Sequence, residues 1–336
     1  MTGRQWIQRV LAHDAGVPVP FQVSLSPVAR RKLAEFYGTD DVEEFLHLPM
    51  RMTAPRSVKP LYASPEEFGE RVTDEFGVTW TTSRIDRGCP VGGAINAPSL
   101  AGYTLPDPAA ERRFEHLGPW CARHADSYTV VWAGDLWERA TFLCGMERLL
   151  LYVALEPAFV AALLDALADY IVATMDVLFA RFEFDCVALS DDYGTQRALL
   201  VSPETWRQLV RPRLARVVDR AKAAGRDVML HSCGHVRPIV PDLIELGIDI
   251  LHPVQPEAMD LAELKRSFGG DLTFCGGLGT QELLVRAAPE AVRAEVRRLK
   301  RLMGRGGGYI LEPGITLQAD VPLANMLAMI DEARAL

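Results

Sequence analysis

The 336-residue sequence lacks the features of proteins that bind nucleic acids or span membranes. It has no run of six basic residues, and its 44 acidic residues outnumber its 36 basic ones, for a formal net charge of −8. A nucleic-acid-binding surface needs clustered positive charge. No apolar stretch reaches 18 residues without a charge, and the first 16 residues form an amphipathic pattern rather than the apolar core of a signal peptide. We therefore expect a soluble, cytoplasmic protein without a nucleic-acid or membrane partner.

The sequence also lacks a disulfide framework and a phosphate-binding loop. Its six cysteines are scattered along a long chain, which is typical of reduced thiols. Cys144 and Cys186 lie in apolar helix and strand patterns and are predicted to be packing residues. The glycine-rich stretch 304–308 precedes a predicted strand and opens no helix, so it does not fit a phosphate-binding loop.

What the sequence does contain is an alternation of short apolar runs with amphipathic helices. Residues 157–182 and 202–225 predict long helices, the second capped by Ser202, closed by Gly225 and interrupted at Pro212. Strands are predicted at 21–25, 128–134, 185–190, 227–232, 248–254, 272–276 and 308–312. Such alternation is typical of a parallel sheet with helical crossovers. With one further strand hidden in the pattern, it predicts an α/β fold of the (β/α)₈ barrel class.

The whole chain, residues 1–336, is predicted to form a single barrel domain, with helix 321–335 packed on its outside. The stretch 50–108 is irregular and rich in proline, glycine and threonine. Long connections of this kind often carry function. We expect the stretch to be an insertion or a lid that borders the barrel mouth.

Polar side chains follow five of the predicted strands. His231 and Cys233 stand at the end of one strand, and Asp191–Asp192, His252–Gln255, Cys275 and Glu312 stand at the ends of four others. In (β/α)₈ barrels the C-terminal strand ends carry the chemistry. Alternate side chains of a strand point to the same side, so residues 231 and 233 can both face the mouth. An imidazole together with a thiolate suits Zn²⁺.

Three segments carry a resemblance to a known family. The stretches HSCGHVRPIVPDLIELGIDILHPVQP (231–256), FCGGLGTQELL (274–284) and GGYILEPGITLQADVP (307–322) resemble the uroporphyrinogen decarboxylase superfamily. Its members include the decarboxylase of haem synthesis and zinc-dependent methyltransferases that move a methyl group between a corrinoid and a thiol. The resemblance covers roughly residues 120–336 and implies a (β/α)₈ barrel with its active site at the strand C-termini.

The resemblance implies a particular set of zinc ligands. Methyltransferases of the superfamily bind zinc through a His-x-Cys motif and a distant cysteine, and His231 with Cys233 matches the motif. Ile315 stands where the distant cysteine is expected, so Cys275 is the first candidate for the third ligand and Glu312 the second.

The decarboxylase branch has a different signature. Its members carry an N-terminal Arg-Gln-Ala-Gly-Arg stretch that grips substrate carboxylates. The nearest pair in this chain, Arg30 and Arg31, lies in an ordinary helix pattern. A substrate with many carboxylates would need such a cationic grip.

The function that the resemblance implies is a zinc-dependent methyltransferase. It would move a methyl group between a methyl-corrinoid, or a small methylated substrate, and a thiol or pterin, with a corrinoid protein as a partner and a homodimer as an open alternative to a monomer. One of Asp191 and Asp192 is predicted to be catalytic at the mouth, with Gln255, Tyr193 and His252 binding the substrate. Two alternatives stay open: a metal-independent decarboxylase of a tetrapyrrole or a small acid, and a non-catalytic carrier of a corrinoid or tetrapyrrole.

Overall fold

The computed structural model describes residues 1–59, 64–85 and 88–335. Within these residues the strands are, in chain order, β1 Met50–Thr53, β2 Arg71–Thr73, β3 Thr79–Thr81, β4 Pro90–Gly92, β5 Tyr128–Gly134, β6 Cys186–Ser190, β7 Asp227–His231, β8 Ile250–Val254, β9 Thr273–Leu278 and β10 Tyr309–Pro313. The α-helices are α1 Gly3–Leu11, α2 Pro27–Tyr37, α3 Val42–Phe45, α4 Pro65–Phe68, α5 Leu117–Arg123, α6 Trp137–Cys144, α7 Met146–Leu155, α8 Pro157–Arg181, α9 Pro203–Leu209, α10 Arg211–Ala223, α11 Val240–Glu245, α12 Leu261–Phe268, α13 Leu283–Arg286, α14 Pro289–Met303 and α15 Leu323–Arg334.

The main sheet has the strand order β1-β5-β6-β7-β8-β9-β10, and every neighbouring pair is parallel. Parallel neighbours need a crossover connection, and the helices between the strands supply it. The α/β class expected from the alternation is therefore confirmed.

The main sheet is curled. Side chains from its first and last strands meet in one apolar cluster, which a flat sheet would not allow. The buried members of this cluster are Ile7, Val10, Met50, Tyr128, Val130, Cys186, Ala188, Met229, Ile250, Cys275 and Ile310. They include one face of each strand in the sheet, together with two residues of α1. The sheet thus wraps around its own core, and α1 packs against the same interior.

The described residues do not form a closed eight-stranded barrel. The predicted strand 21–25 makes only isolated parallel bridges, Phe21 with Leu311 and Leu25 with Leu317. Four positions separate the two residues on the first segment and six separate their partners, so a continuous ladder cannot form between them. The result is a curled half-barrel of TIM-like type, which corrects the closed barrel expected from the sequence.

The stretch 50–108 is more structured than its composition suggests. Its first residues form β1, the edge strand of the main sheet, and β2, β3 and β4 form a small antiparallel sheet. Strand β1 has only four residues and lies between Pro49 and Pro55, so it is too short to show a periodic pattern. This is the strand that the sequence pattern left hidden.

The helices follow the sequence closely where the pattern is long. Helix α8 covers the predicted 157–182 almost completely, and the predicted 202–225 divides into α9 and α10 just before Pro212. Ser202 caps α9 by accepting the N–H of Thr205 at 3.0 Å. Helix α8 is long and apolar enough to cross a membrane, but more than half of its most apolar 18-residue window is buried inside the protein, as expected of a core helix. Helix α15 packs on α14 at the outside of the sheet.

Candidate metal and active site

The ends of β6, β7 and β8 bring three polar side chains into neighbouring positions. Parallel pairing aligns Ser190 with His231, and His231 with His252. These three residues line a cleft with a volume of about 1450 Å³. The cleft lies at the C-terminal strand ends, where the sequence places the mouth.

Asp192, His231 and Cys233, here called the rim triad, line this cleft and are each partly exposed. His231 Nε2 lies 3.5 Å from Asp192 Oδ1 and 3.5 Å from Cys233 Sγ. The backbone N–H of Cys233 also donates to Asp192 Oδ1 at 2.8 Å. Gly234 permits the turn, because its φ is +80° and a Cβ there would lie 2.6 Å from the carbonyl carbon of Gly194. The backbone thus holds the rim triad together.

The two separations from His231 Nε2 to the other members of the rim triad fit a tetrahedral zinc ion. Zinc binds sulfur at about 2.3 Å and nitrogen or oxygen at about 2.0–2.2 Å. Two ligand atoms at a tetrahedral angle are then about 3.3–3.6 Å apart, and both measured separations from His231 Nε2 are 3.5 Å. Three protein ligands leave a fourth position for substrate, as in catalytic zinc sites.

The surroundings of the rim triad keep the Cys233 thiol protonated and the Asp192 carboxyl ionised. Burial and the nearby negative charge of Asp192 raise the pKa of the Cys233 thiol. Burial would raise the pKa of Asp192 too, but hydrogen bonding and charge from His231, with the Cys233 amide, hold that pKa below its usual value. A bound divalent metal would reverse the effect on Cys233, because coordination deprotonates a thiol.

A second group, His252, Cys275 and Glu312, is here called the buried triad. Glu312 Oε2 lies 3.3 Å from His252 Nε2 and accepts the Cys275 thiol at 3.1 Å, while Oε1 accepts the Ser24 hydroxyl at 2.9 Å. The two triads touch through the imidazole rings, because His231 Nδ1 lies 3.0 Å from His252 Nδ1.

The predicted zinc ligands are divided between the two triads. Cys275 and Glu312, the candidates for the third ligand, bond to each other in the buried triad, and Asp192 stands beside His231 and Cys233 instead. Strand β9 continues for three residues beyond Cys275, which therefore lies below the mouth with its side chain in the apolar interior.

The adjacent aspartates face opposite ways. Asp191 is 1% exposed and accepts the N–H groups of Leu136 and Glu138, at 2.8 and 2.9 Å, and the Tyr193 hydroxyl at 2.8 Å. Burial raises its pKa to about 7, against the effect of these hydrogen bonds. Asp191 therefore holds the start of α6, whereas Asp192 faces the cleft.

Two of the predicted substrate-binding residues have protein partners. Gln255 is buried, and its Oε1 accepts the N–H of Gly234 at 2.6 Å. Tyr193 is buried between Asp191 and the ring of Trp206. Both residues support the turn and strand end that carry the rim triad. His252, by contrast, lines the cleft.

Sequence reasoning missed Trp132 and Ser24. The Trp132 ring packs edge-on against both imidazoles, with centroid distances of 6.0 Å to His231 and 6.3 Å to His252. It lies near the end of the predicted strand 128–134, so the strand-end rule could have identified it. Ser24 reaches Glu312 only through the long-range pairing of 21–25 with the end of the chain, which has no local signal.

Arginines also line the cleft, at positions 30, 51, 113, 123 and 139. Each of them forms an ion pair with an aspartate or a glutamate. Arg30, expected to be an ordinary helix residue, is one of them. The arginines thus bring positive charge to the cleft that neighbouring acids already compensate.

Part of the stretch 50–108 forms a wall of the cleft. Glu75 and Phe76, in the turn between β2 and β3, line it. Arg113 Nη1 pairs with Glu75 Oε1 at 2.7 Å in a buried ion pair, and the Phe76 ring packs edge-on against Tyr170 of α8. The small sheet is thereby attached to the main body beside the mouth.

Comparison with known proteins agrees with this architecture. Residues 81–336 match the family model described as uroporphyrinogen decarboxylase (URO-D). No curated protein sequence matches the chain. A solved structure of a methyltransferase from Methanosarcina mazei is similar over 99% of this chain and 98% of its own, with a TM-score of 0.74 and 17% sequence identity, which shows a shared fold.

A second solved structure, a glycosylated endo-β-1,4-xylanase of glycoside hydrolase family 10 from Gloeophyllum trabeum, covers 66% of this chain and 92% of its own. Its TM-score of 0.38 and its identity of 11% carry no argument. The family model, in contrast, spans about three quarters of the sequence, from β3 to the last helix. The chain therefore belongs to the uroporphyrinogen decarboxylase family.

Proposed function

We propose that this protein is a zinc-dependent methyltransferase in which Asp192, His231 and Cys233 hold the metal. The observation that carries the proposal is the rim triad at the wall of a wide cleft, in which both separations from His231 Nε2 match those between ligands of a tetrahedral zinc ion. The shared fold of the methyltransferase from M. mazei supports the same proposal. Asp192 here takes the role of the distant cysteine, at whose expected place Ile315 stands.

The reaction we propose is the transfer of a methyl group to a thiol. Zinc held by the rim triad would lower the pKa of a substrate thiol, so that thiolate is available at neutral pH. The thiol proton would leave to solvent, and the thiolate sulfur would form a bond to the methyl carbon as the bond between that carbon and its donor breaks. The electron pair of the broken bond would stay with the donor, which for a methyl-corrinoid leaves cobalt(I). Trp132 limits the approach from one side by packing against both imidazoles.

The size of the cleft favours a bulky methyl donor. Its volume of about 1450 Å³ exceeds the range of about 300–1,000 Å³ that is usual for small-molecule sites. A corrinoid, free or carried by a partner protein, would use that space, whereas a small methylated compound would leave most of it empty. We therefore favour a methyl-corrinoid as the donor.

The arginines of the cleft raise the alternative of a decarboxylase, because they could bind the carboxylates of its substrate. A substrate with several carboxylates needs positive charge that is not already compensated. Because each of these arginines is paired with an acid, their charge is largely taken up within the protein. The rim triad has no evident use in metal-independent decarboxylation, so we prefer methyl transfer.

The deciding experiment is the zinc content of protein purified without chelators or added metal. We expect one zinc per chain in the wild type, and a loss of at least about tenfold in Cys233→Ala and Asp192→Ala, because each removes one of three ligands. Cys89→Ser, at an exposed cysteine outside both triads, is the matched control and should keep its zinc. Wild-type protein without zinc would contradict the proposal.

Turnover is tested with methylcobalamin as the donor and 2-mercaptoethanol as the acceptor. The zinc-loaded wild type should consume methylcobalamin, measured by its visible absorbance, and Cys233→Ala should not. Zinc binding without any methyl transfer to a panel of thiols would leave only the carrier function. Full activity in the presence of a strong chelator would instead favour the metal-independent alternative.

A further inference from the structure

Two arginines of the cleft have their charge compensated but keep unused hydrogen-bond donors. Arg113 Nη1 donates to Glu75 Oε1 at 2.7 Å. Arg139 donates to Asp135 Oδ1 from Nε at 3.2 Å and from Nη2 at 3.1 Å. Arg113 Nε and Arg139 Nη1 are buried and have no hydrogen-bonding partner among the described residues. Arg139 Nη1 lies 3.7 Å from Asp74 Oδ2, which is too long for a hydrogen bond.

The hydroxyl of Tyr170 is a third such group. Tyr170 is 8% exposed, and no described residue bonds to its hydroxyl. Its ring centroid lies 5.4 Å from that of Phe76 and 5.9 Å from the guanidinium carbon of Arg113. The guanidinium carbon of Arg139 lies 4.1 Å from the Phe76 centroid. Arg113, Arg139 and Tyr170, here called the donor wall, thus form one cluster with Phe76, and all four residues line the cleft.

The chemistry of the donor wall selects the kind of group that can bind to it. Buried polar atoms without a partner are uncommon in folded proteins. A guanidinium N–H can only donate, and a tyrosine hydroxyl can donate too, so the matching group is an acceptor. Three carboxyl groups, those of Asp74, Glu75 and Asp135, face the two guanidinium groups, so a further anion would meet repulsion. The group that fits is a neutral oxygen, such as an amide carbonyl.

We infer that the donor wall binds amide carbonyl groups of a corrinoid, and thereby selects corrinoids with amide side chains over tetrapyrroles with carboxylates. The wall adjoins the rim of the cleft, because Arg139 lies in the first turn of α6, whose start is held by Asp191. A corrinoid carries amides around its ring, so a ring with its methyl group at the rim triad presents amides to the sides of the cleft. The Phe76 ring packs over the donors and lies in a turn, so it moves aside when the ligand enters.

The identity of the ligand as a corrinoid rests on the proposed function, whereas the preference for a neutral oxygen rests on the donor wall alone. The test is the binding of two corrinoids to the protein as purified, measured by isothermal titration calorimetry at neutral pH. Dicyanocobinamide has amide side chains, and dicyanocobyrinic acid has carboxylic acids in their place on the same ring. We expect the wild type to bind dicyanocobinamide at least about tenfold more tightly, because like charges in contact are strongly unfavourable.

Two variants test the donors themselves. Tyr170→Phe removes only a hydroxyl without an internal partner, and should weaken the binding of dicyanocobinamide about 3–10-fold with little effect on dicyanocobyrinic acid. Arg113→Lys keeps a positive charge beside Glu75 but loses the Nε–H donor, and should act in the same direction. Tyr152→Phe, in α7 and outside the residues that line the cleft, is the matched control and should bind like the wild type.

Equal affinity of the wild type for the two corrinoids, or tighter binding of dicyanocobyrinic acid, would overturn the inference. Unchanged binding of dicyanocobinamide in both variants would overturn it too, because the donors would then bind water only. If zinc-containing protein bound neither corrinoid, the inference would fail and methyl transfer from another donor would stand. A preference for the amide corrinoid in protein without zinc would contradict the proposed function and leave this inference standing.

Discussion

At the scale of single residues, Asp191 and Asp192 differ more than their adjacency suggests. Asp191 satisfies two amide groups at the start of α6 and the hydroxyl of Tyr193, while Asp192 belongs to the rim triad. Asp191→Asn keeps an acceptor oxygen for the amides, so we expect zinc content and methyl transfer to stay within a few-fold of the wild type. Asp192→Asn should remove most of both, because a neutral amide is a poor zinc ligand.

Alanine substitutions of Asp191 and Asp192 should affect different properties, the first the stability of the fold and the second the zinc content. Asp191→Ala leaves the buried donors that Asp191 accepts without an acceptor. It should therefore lower the free energy of unfolding by about 1–3 kcal/mol, measured by urea denaturation of the metal-free protein. Asp192→Ala, on the partly exposed rim, should change that quantity much less. Equal effects of the two alanine substitutions on stability and on zinc content would contradict these assignments.

The sequence predicted which residues lie at the rim of the cleft, but not how they divide into two triads. The strand-end rule placed His231, Cys233 and one of the aspartates at the mouth, because a local pattern of apolar residues and acids marks where a buried strand ends. It could not assign Cys275, since strand length decides whether a residue lies at the mouth or below it, and β9 is longer than its pattern indicates. The contact between His231 and His252 depends on the register of β7 and β8, which no local signal encodes.

At the scale of elements, the glycine run before β10 has a packing explanation. Gly306, Gly307 and Gly308 all have positive φ, between +63° and +78°. A Cβ on Gly307 would lie 2.5 Å from the carbonyl carbon of His13, in the segment that follows α1, whereas a Cβ on Gly306 would meet nothing within 4 Å. The run thus lets the N-terminal segment cross close to the backbone, which fits the rejection of a phosphate-binding loop.

The two neighbouring glycines make a matched pair for measurement. Gly306→Ala should cost only the left-handed backbone conformation, about 1–2 kcal/mol. Gly307→Ala adds a backbone clash with His13 and should cost clearly more, as measured by the denaturant midpoint and slope of unfolding. Indistinguishable midpoints for the two variants would show that the segment around His13 can move aside without loss.

Element types followed from the sequence far better than element partners did. Helices α8, α9 and α10 have long periodic patterns and explicit stop signals, and the structure has them where the sequence indicates. Strand β1 is hidden because four residues between prolines carry no periodicity. The segment 21–25 has a strand-like composition, which predicted a continuous β-strand. It pairs with the end of the chain only at two isolated bridges, because the spacing of its residues does not match that of their partners.

At the scale of the whole molecule, the small sheet and the curled main sheet share the cleft between them. The sequence predicts a lid in this part of the chain, and closure over a substrate stays a prediction. We expect methylcobalamin to protect Arg71 and Arg84, exposed trypsin sites on either side of β3, and to leave cleavage at exposed Arg305 unchanged. Equal cleavage at Arg71 and Arg84 with and without methylcobalamin, resolved by mass spectrometry, would count against closure.

The pairing of residues 21–25 with the far end of the chain has a consequence for biosynthesis. Ser24 and Glu312, which hydrogen-bond in the folded protein, are 288 positions apart. At about 5–20 residues per second on the ribosome, the N-terminal segment waits on the order of 15–60 s for its partner to be made. Contacts of such sequence separation also slow folding, because a long loop must be closed to form them. We therefore expect this side of the apolar interior to stay open until synthesis of the chain is nearly finished.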